Sequence, residues 1–536
     1  MNSQLKNSES DAVDEQVEEV AQGHEHEHEH EHGYPHHTPG TVRLFDDKTV
    51  VLIPTPSPDP KDPLNLPQWH KYLIILLLGL YSSISVLGTS GLGAVFTFVL
   101  AEYPSEEATK ATQLLTYPTL FMGIGNLVSM PLSVAVGRRP CACATTLDSH
   151  IAARNFFSLA AGQSEALAPL IVQEIHFLHE RGAKVAWFVA IQVIGTAALF
   201  VATTYLVPQW GIKWWYGIMT IINGVVLILS YFCVVETRFD RPNDAIEGEV
   251  HVKLDEEGRL RDKTHALEKI YKVTTAQTHV LEPEKYGPRT WRHDLTLFHF
   301  KPDWSSLLRF YKETGQSLLV PSMLWLMLLN GAFLGVYVYQ VSTFAQILMG
   351  PPYNWKSEWL GFVQMAQILD CAVMLPLLGY GSDRIVKVMS RLRNGVFEPE
   401  YRIISLIVPA IAMVLSCVLF GRAGAHPEDW SWATIAVSYN LGYFAFLGAN
   451  TVGITYAVDS FPHKAGPLLL IICAGRGFIS FGLSYSTVPF IELIGYDGAM
   501  NILAIICGVL SGLGIIVYIF GKGMRSLAQR WFWKEE

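Results

Sequence analysis

From Tyr72 onward the chain alternates long apolar runs with short polar breaks. The runs cover residues 72–98, 111–136, 152–174, 184–206, 213–235, 317–346, 358–380, 402–421, 431–456, 466–491 and 496–520. Most reach the roughly 20 residues that an α-helix needs to cross ~30 Å of hydrocarbon. Helices buried in a large soluble domain would carry a charged face, and most of these runs carry none. The pattern predicts an all-α, multi-pass membrane protein. Pro67, Trp69, His70 and Lys71 mark the start of the first run, and Trp and Lys there suit a membrane interface.

The polar stretches divide the chain. Residues 1–66 form a tail rich in Glu, Asp, His, Ser and Pro, without a long apolar run, and are expected to be disordered. Residues 67–235 form a first transmembrane half, 236–316 a central loop, 317–521 a second half and 522–536 a short C-terminal tail. In the first tail His24, His26, His28, His30 and His32 alternate with Glu. Such a run has a weak capacity for Zn²⁺ or Ni²⁺; the plainer reading is a solvated low-complexity segment. No cofactor and no other metal site is expected.

Basic residues cluster in alternate loops: Arg138 and Arg139; Arg181 and Lys184; Arg384, Lys387, Arg391 and Arg393; Lys464; and Lys522, Arg525, Arg530 and Lys534. The intervening loops carry about one each: Lys110, Lys213, Lys356 and Arg422. The positive-inside rule places the first set, and with it both tails, in the cytoplasm.

That orientation exposes a defect in the stretch "VGRRPCACATTLDSHIAARNFFSLAAG", residues 136–162. Arg138-Arg139 and Arg181-Lys184 fall on the same side, so the chain between them crosses twice or not at all. Pro140 to Ile175 offers 36 residues; two helical crossings with a turn need more than about 40. Residues 141–151 as a helix reach roughly 17 Å, and Asp148 and His150 would be costly in hydrocarbon. The eleven runs therefore read as twelve spans with the third incomplete.

Composition supports the membrane class and excludes others. The 536 residues are 50% hydrophobic and 16% charged, against about 25% charged in soluble proteins. The net charge of −9 comes largely from the acidic tail and points to no nucleic-acid partner. The seven Cys lie mostly inside apolar runs, without the spacing of a disulfide framework. No phosphate loop and no nucleophile with a base is present, so an enzyme is not expected.

Ionisable groups within membrane helices are costly, and each is a functional candidate. Asp370, Glu165 and Arg476 are the candidates for a substrate and proton pathway. Gln364, Gln367, Asn330, Gln340, Asn440 and Asn450 surround them on other spans, though such amides also serve as interhelical glue. Gln367 and Asp370 are three apart and share a helix face. A buried carboxylate that takes up and releases a proton would couple a gradient to substrate movement, with Asp370 ahead of Glu165. The plainer alternative for Asp370 is a structural pair, with Arg476 the nearest candidate partner.

Particular stretches carry a family resemblance. "GRRP" at 137–140 is like the basic end of a loop signature, and "GYGSDR" at 379–384 repeats its G-x-x-x-D-R core in the second half. "DPLNLPQW" (62–69), "HERG" (179–182), "ETRFDRP" (236–242), "NGVFEPEYR" (394–402) and "YAVDSFP" (456–462) extend the likeness over nearly the whole chain outside the tails. Together they resemble the major facilitator superfamily, and within it fungal members related to the drug:proton antiporters. The resemblance implies two six-helix halves with twelve spans, the third here truncated or missing. It also implies a gating role for Gly379, Asp383 and Arg384, and in part for Arg138 and Arg139. Departures are Met130 and Val134 in the first loop signature, Ser158 in the fourth span, and a fifth span that keeps only Gly195 of its antiporter glycines.

The expected function is secondary active transport of a small organic molecule by alternating access, with proton-coupled export ahead of uptake of a nutrient or polyamine. A transport-inactive or sensor-like relative is the alternative raised by residues 140–175. The expected partners are the substrate, protons and the lipid bilayer. The expected state is a monomer, in the plasma membrane rather than a vacuolar or other internal one.

Overall fold

The computed structural model describes residues 39–43, 45, 46, 49, 50, 53–91, 113–136, 158–239, 284, 287–290, 294–296, 304–393 and 396–532. Residues 137–157, with Arg138, Arg139, Asp148 and His150, lie outside the described residues. So do His24, His26, His28, His30 and His32 and most of the central loop. The expectation of an incomplete third helix falls on that first gap.

Nine helical segments among the described residues are long and apolar enough to cross a membrane. The first half comprises α1 (Gln68–Ser90), α2 (Gln113–Val136), α3 (Gln163–Glu174) and α4 (Arg181–Cys233). In the second half α5 (Trp304–Leu318) leads into α6 (Pro321–Met349). The next span is built from α7 (Ser357–Met365), α8 (Gln367–Met374), a π-helical turn at Leu375–Tyr380 and α9 (Gly381–Leu392). A 3₁₀ stretch at Pro399–Leu406 runs into α10 (Ile407–Ala425), followed by α11 (Trp432–Ser460), α12 (Ala465–Tyr485) and α13 (Thr487–Phe532).

Two of these helices turn sharply at a glycine: α4 joins two spans there, and α13 turns after its first eight residues. α4 turns at Gly211 (φ 78°, ψ 170°) and α13 at Gly495 (φ 71°, ψ 177°). Backbone in this region is open almost only to glycine, because a Cβ would clash with its own chain. The two turns occupy corresponding places, each before the last span of its half. They are a structural trace of the internal repeat expected of such folds.

Inside a bilayer, helices gain little from hiding apolar surface from lipid, and small residues that permit close packing decide which helices meet. α4 packs on α1 within the first half; α6 packs on α12, and α10 on α11 and α13, within the second. The halves meet where α2 crosses α12 and where α4 crosses α7, α8 and the π turn. α11 is the most enclosed span, with 89% of its apolar window buried. The Trp214–Cys233 part of α4 is 11% buried and forms the periphery.

The 1–66 segment was expected to be disordered, and its later part departs from that expectation. β1 (Val42–Arg43) pairs antiparallel with β4 (Val396–Phe397), and β2 (Phe45–Asp46) pairs with β3 (Thr49–Val50). The Leu178 amide donates to the Ile53 carbonyl at 2.7 Å. Asp62 accepts from the Leu64 and Ser57 amides, each at 2.9 Å, and buried Lys71 donates to the Leu64 carbonyl at 2.9 Å. Composition hid this because the segment has few apolar residues. Several of them nonetheless find a core place: Val42 and Ile53 pack with Leu178, Val386, Phe397 and Tyr401.

His176, in the turn between α3 and α4, is fully buried and its Nδ1 lies 2.7 Å from the Val172 carbonyl. The ring donates through Nδ1, which leaves Nε2 as an acceptor without a partner. Burial, which outweighs the carbonyl's support, lowers its pKa from 6.5 to about 3, with Lys71, Lys184 and Arg181 adding repulsion. The unfolded ring takes up a proton below 6.5 and the folded ring does not until about 3. Stability contributed by this site is therefore lost as pH falls below 6.5, at up to about 1.4 kcal/mol per pH unit. Melting curves of detergent-solubilised protein between pH 7 and ~5 should show this decline. His176→Asn, whose amide still donates to Val172, should flatten most of it, leaving a smaller slope from His179, which burial also holds low. An unchanged slope in the variant would place the titrating group elsewhere.

Candidate functional site

Two polar constellations lie between the halves. One is at the end of the bundle that carries the basic loops; the other is deeper.

At the basic-loop end the fully buried Arg402 is the hub. Its Nε meets Asp459 Oδ2 at 2.5 Å and its Nη1 meets Asp383 Oδ1 at 3.0 Å. Its Nη2 donates to the Leu178 carbonyl of the first half at 3.3 Å. Arg181, the first residue of α4, pairs with Asp459 Oδ1 at 3.0 Å. The Ala183 amide donates to Asp383 Oδ2 at 2.8 Å. Asp383 thus sits at the N-terminus of α4, where free backbone N–H groups and the helix dipole favour an anion. The approach requires glycine at 182, since a Cβ there would lie 2.5 Å from Asp383 Oδ1. Two carboxylates and two guanidiniums balance in charge, and three of the contacts join one half to the other.

The expected gating residues divide. Asp383 is central, and Gly379 lies where a Cβ would come within 2.7 Å of Ala186 Cβ on α4, as expected of a close helix approach. Arg384 is exposed and makes no ion pair among the described residues. The arginines of the network are Arg402 and Arg181 instead. Arg138 and Arg139 fall outside the described residues.

Deeper in the bundle Arg476 of α12 pairs with Glu165 of α3 at 2.5 Å, again across the halves. It also donates to Asn450 Oδ1 and stands 5.6 Å from the Phe446 ring centre. A guanidinium over an aromatic face gains from the ring quadrupole, more so when desolvated. The alternative pairing of Arg476 with Asp370 is not formed: Glu165, on the facing helix, takes its place. Cys473, one turn before Arg476, donates to the Glu165 carbonyl at 3.3 Å and fixes the same crossing.

Asp370 makes no ion pair among the described residues, and its Oδ2 is buried without a hydrogen-bond partner. It interacts electrostatically with Tyr337 of α6 and Tyr443 of α11. One turn away Gln367 donates to Gln364 Oε1 at 2.5 Å, and Gln364 donates to the Tyr439 hydroxyl at 2.6 Å. The hydroxyls of Tyr337 and Tyr439 are 3.2 Å apart, and the Tyr337 ring lies 4.8 Å from that of Tyr443 and 6.0 Å from that of Phe446. A continuous aromatic surface therefore links the Asp370 side of the second half to Arg476.

Of the remaining amides, Gln340 and Asn440 bridge helices and Asn330 bonds within its own. Gln340 donates to Ser416 at 2.9 Å, Asn440 to the Val363 carbonyl at 3.3 Å, and Asn330 to the Leu326 carbonyl of its own helix at 3.1 Å. The structure thus joins Glu165, Arg476 and Asn450 in one cluster and Gln364 and Gln367, beside Asp370, in another. Asn330, Gln340 and Asn440 belong to neither. Arg402 and Asp459 stood in the sequence only as parts of family-like stretches. Their signal was a charge at the edge of an apolar run. Tyr337, Tyr439, Tyr443 and Phe446 gave none, because an aromatic in an apolar run looks like any core residue.

Residues 78–468 match the sequence model of the Major Facilitator Superfamily. An MFS-type transporter of Schizosaccharomyces pombe is 22% identical over 92% of this chain and 94% of its own. The efflux pump radE of Floropilus chiversii is 21% identical over 87% of this chain and 83% of its own. Among solved structures, the proton:xylose symporter XylE bound to 6-bromo-6-deoxy-D-glucose superimposes with a TM-score of 0.53 at 13% identity. That likeness covers 86% of this chain and 99% of XylE and supports the two-half fold.

The hub makes a specific prediction. Arg402→Met should leave Asp383 and Asp459 buried without their shared cation, a loss of about 3–5 kcal/mol. Asp459→Asn should cost less, because Arg402 keeps Asp383. A thiol-reactive fluorophore, which reports unfolding through the buried Cys371, Cys417, Cys473 and Cys507, gives the measurement. Equal melting temperatures for wild type and Arg402→Met would remove Arg402 from its structural role.

Proposed function

The chain belongs to the major facilitator superfamily, and we propose that it exports a small organic molecule in exchange for protons, by rocking its two halves about a central site. The observation that carries this reading is that buried charges are bound across the halves at two depths. Arg181–Asp459 and Asp383–Ala183 fasten the basic-loop end, and Arg476–Glu165 fastens the interior. A set of ion pairs between two rigid bodies is suited to breaking and re-forming as access alternates, since each pair has partners enough to stay satisfied in only one arrangement.

In this reading the basic-loop end faces the cytoplasm, both tails lie there, and the captured state is closed on that side. The protein acts as a monomer in the plasma membrane. The substrate lies against Tyr337, Tyr443 and Phe446, between Asp370 and the Glu165–Arg476 pair. Asp370 exchanges the coupling proton: it is the carboxylate of the group without a cationic partner. Glu165 is held by Arg476, so its release belongs to the opening step. Export is favoured over uptake by the likeness to an efflux pump.

The test uses proteoliposomes with an imposed pH gradient and a panel of fluorescent organic cations, anions and neutral dyes. Asp370→Asn should abolish gradient-driven movement of a transported dye while leaving dye exchange at equal pH intact, because the amide keeps the shape and loses the charge. Glu165→Gln should slow both processes, because it weakens the cross-half contact itself. Gradient-driven transport that survives Asp370→Asn with its pH dependence intact would move the coupling role to Glu165. Accumulation only when the gradient drives dye and proton the same way would replace export by uptake.

A further inference from the structure

α5, the helix ahead of α6, has an exposed apolar stripe unrelated to the sites between the halves. Trp304, Leu308, Tyr311 and Leu318 are 62%, 74%, 41% and 41% exposed. At 3.6 residues per turn they fall on one face, with Gly315 between them. The opposite face is closed, with Phe310 and Ser317 buried against the bundle. Two contacts hold the helix in place. The Tyr311 hydroxyl donates to the Leu127 carbonyl of α2 at 2.7 Å, and Glu313 pairs with Lys464, between α11 and α12, at 2.6 Å. The charge of Glu313 is thereby matched, while Arg309 and Lys312 remain exposed beside the stripe.

The position of α5 identifies what covers the stripe. Only Leu319 and Val320 separate it from Pro321, where the next membrane span begins. The helix therefore lies where that span leaves the hydrocarbon. An apolar face bordered on one side by cations, with Trp at its end, fits a helix lying in the plane of the bilayer interface.

We propose that α5 docks on the leaflet at the basic-loop end. Trp304, Leu308 and Leu318 enter the acyl boundary, and Arg309 and Lys312 engage anionic headgroups. Because α5 touches α2 of the first half and Lys464 of the second, the leaflet binds a helix that both halves share. Anionic lipid then stabilises the arrangement in which both contacts are made.

The test uses the full chain in phosphatidylcholine nanodiscs with and without phosphatidylserine. A nitroxide at position 308 should be open to oxygen and shielded from a water-soluble nickel chelate, and one at position 309 should show the reverse balance. A label at 308 that meets the chelate freely would overturn the proposal. So would dipolar broadening between two such labels, which would make the stripe a contact between copies of the chain. Each cation beside an anionic surface contributes about fivefold in affinity. Arg309→Gln with Lys312→Gln should weaken the phosphatidylserine-dependent rise in melting temperature, read as lipid affinity, by about tenfold or more. Its melting temperature in pure phosphatidylcholine should stay unchanged. An equal response to phosphatidylserine in the double variant would remove the headgroup contact.

Discussion

Arg402 is the point on which the basic-loop end depends. A charge buried among helices is tolerated only when partners replace its lost hydration. Arg402 meets that demand with two carboxylates of its own half and a carbonyl of the other. The carboxylates then turn outward from their half. Asp459 reaches Arg181 and Asp383 reaches the start of α4. One desolvated guanidinium thus orients two acids, and the acids join the halves. An apolar patch accompanies these contacts, where Leu178 of the first half packs with Val386, Phe397 and Tyr401 of the second.

The interior pair obeys the same rule with a different outcome. Arg476 is nearly inaccessible and is held by Glu165, Asn450 and the Phe446 face, with its Nε left without a hydrogen-bond partner. Asp370 has aromatic neighbours and amides nearby but no cation among the described residues. Among the described residues, Glu165, Arg476 and Asp370 therefore divide into a closed pair and an open acid. The proposed transport cycle needs both: a link that breaks between halves, and a group free to change its charge.

The span pattern was legible because a bilayer imposes one length and one polarity on every crossing helix. Apolar runs such as 317–346 and 431–456 recur as α6 and α11 with shifted ends, since helices continue past the hydrocarbon into the interface. Gly379 and Asp383 stood out through the family-like stretch 379–384, although the first half keeps only the basic end of that motif. Arg402 was not singled out, because its partner lies 57 residues away at Asp459 and no spacing announces the contact. The Arg476–Glu165 pair was hidden for the same reason: both residues stood out, but sequence gave no means of choosing Glu165 over Asp370. The packing of residues 53–66 was missed because composition averages over a segment. A few well-placed apolar residues suffice when a formed bundle supplies the other side.

That N-terminal segment constrains how the halves can move. β1 holds to β4 in the second half, and the fully buried Arg525 of α13, paired with Glu400, donates to the Pro39 carbonyl and the Thr41 hydroxyl. Ile53 holds to Leu178 in the first half. The chain is therefore tied to both sides of the interface that Arg402 fastens. Arg43 and Ile53 are ten residues apart in sequence, and an extended chain of that length reaches at most about 35 Å. Opening of this end is thus not forbidden, since the link has reach to spare. Its short β2–β3 pairing would be given up before either anchor. In the proposed cycle, a connection of this kind leaves the balance between closed and open to the buried charges and not to the length of the tether.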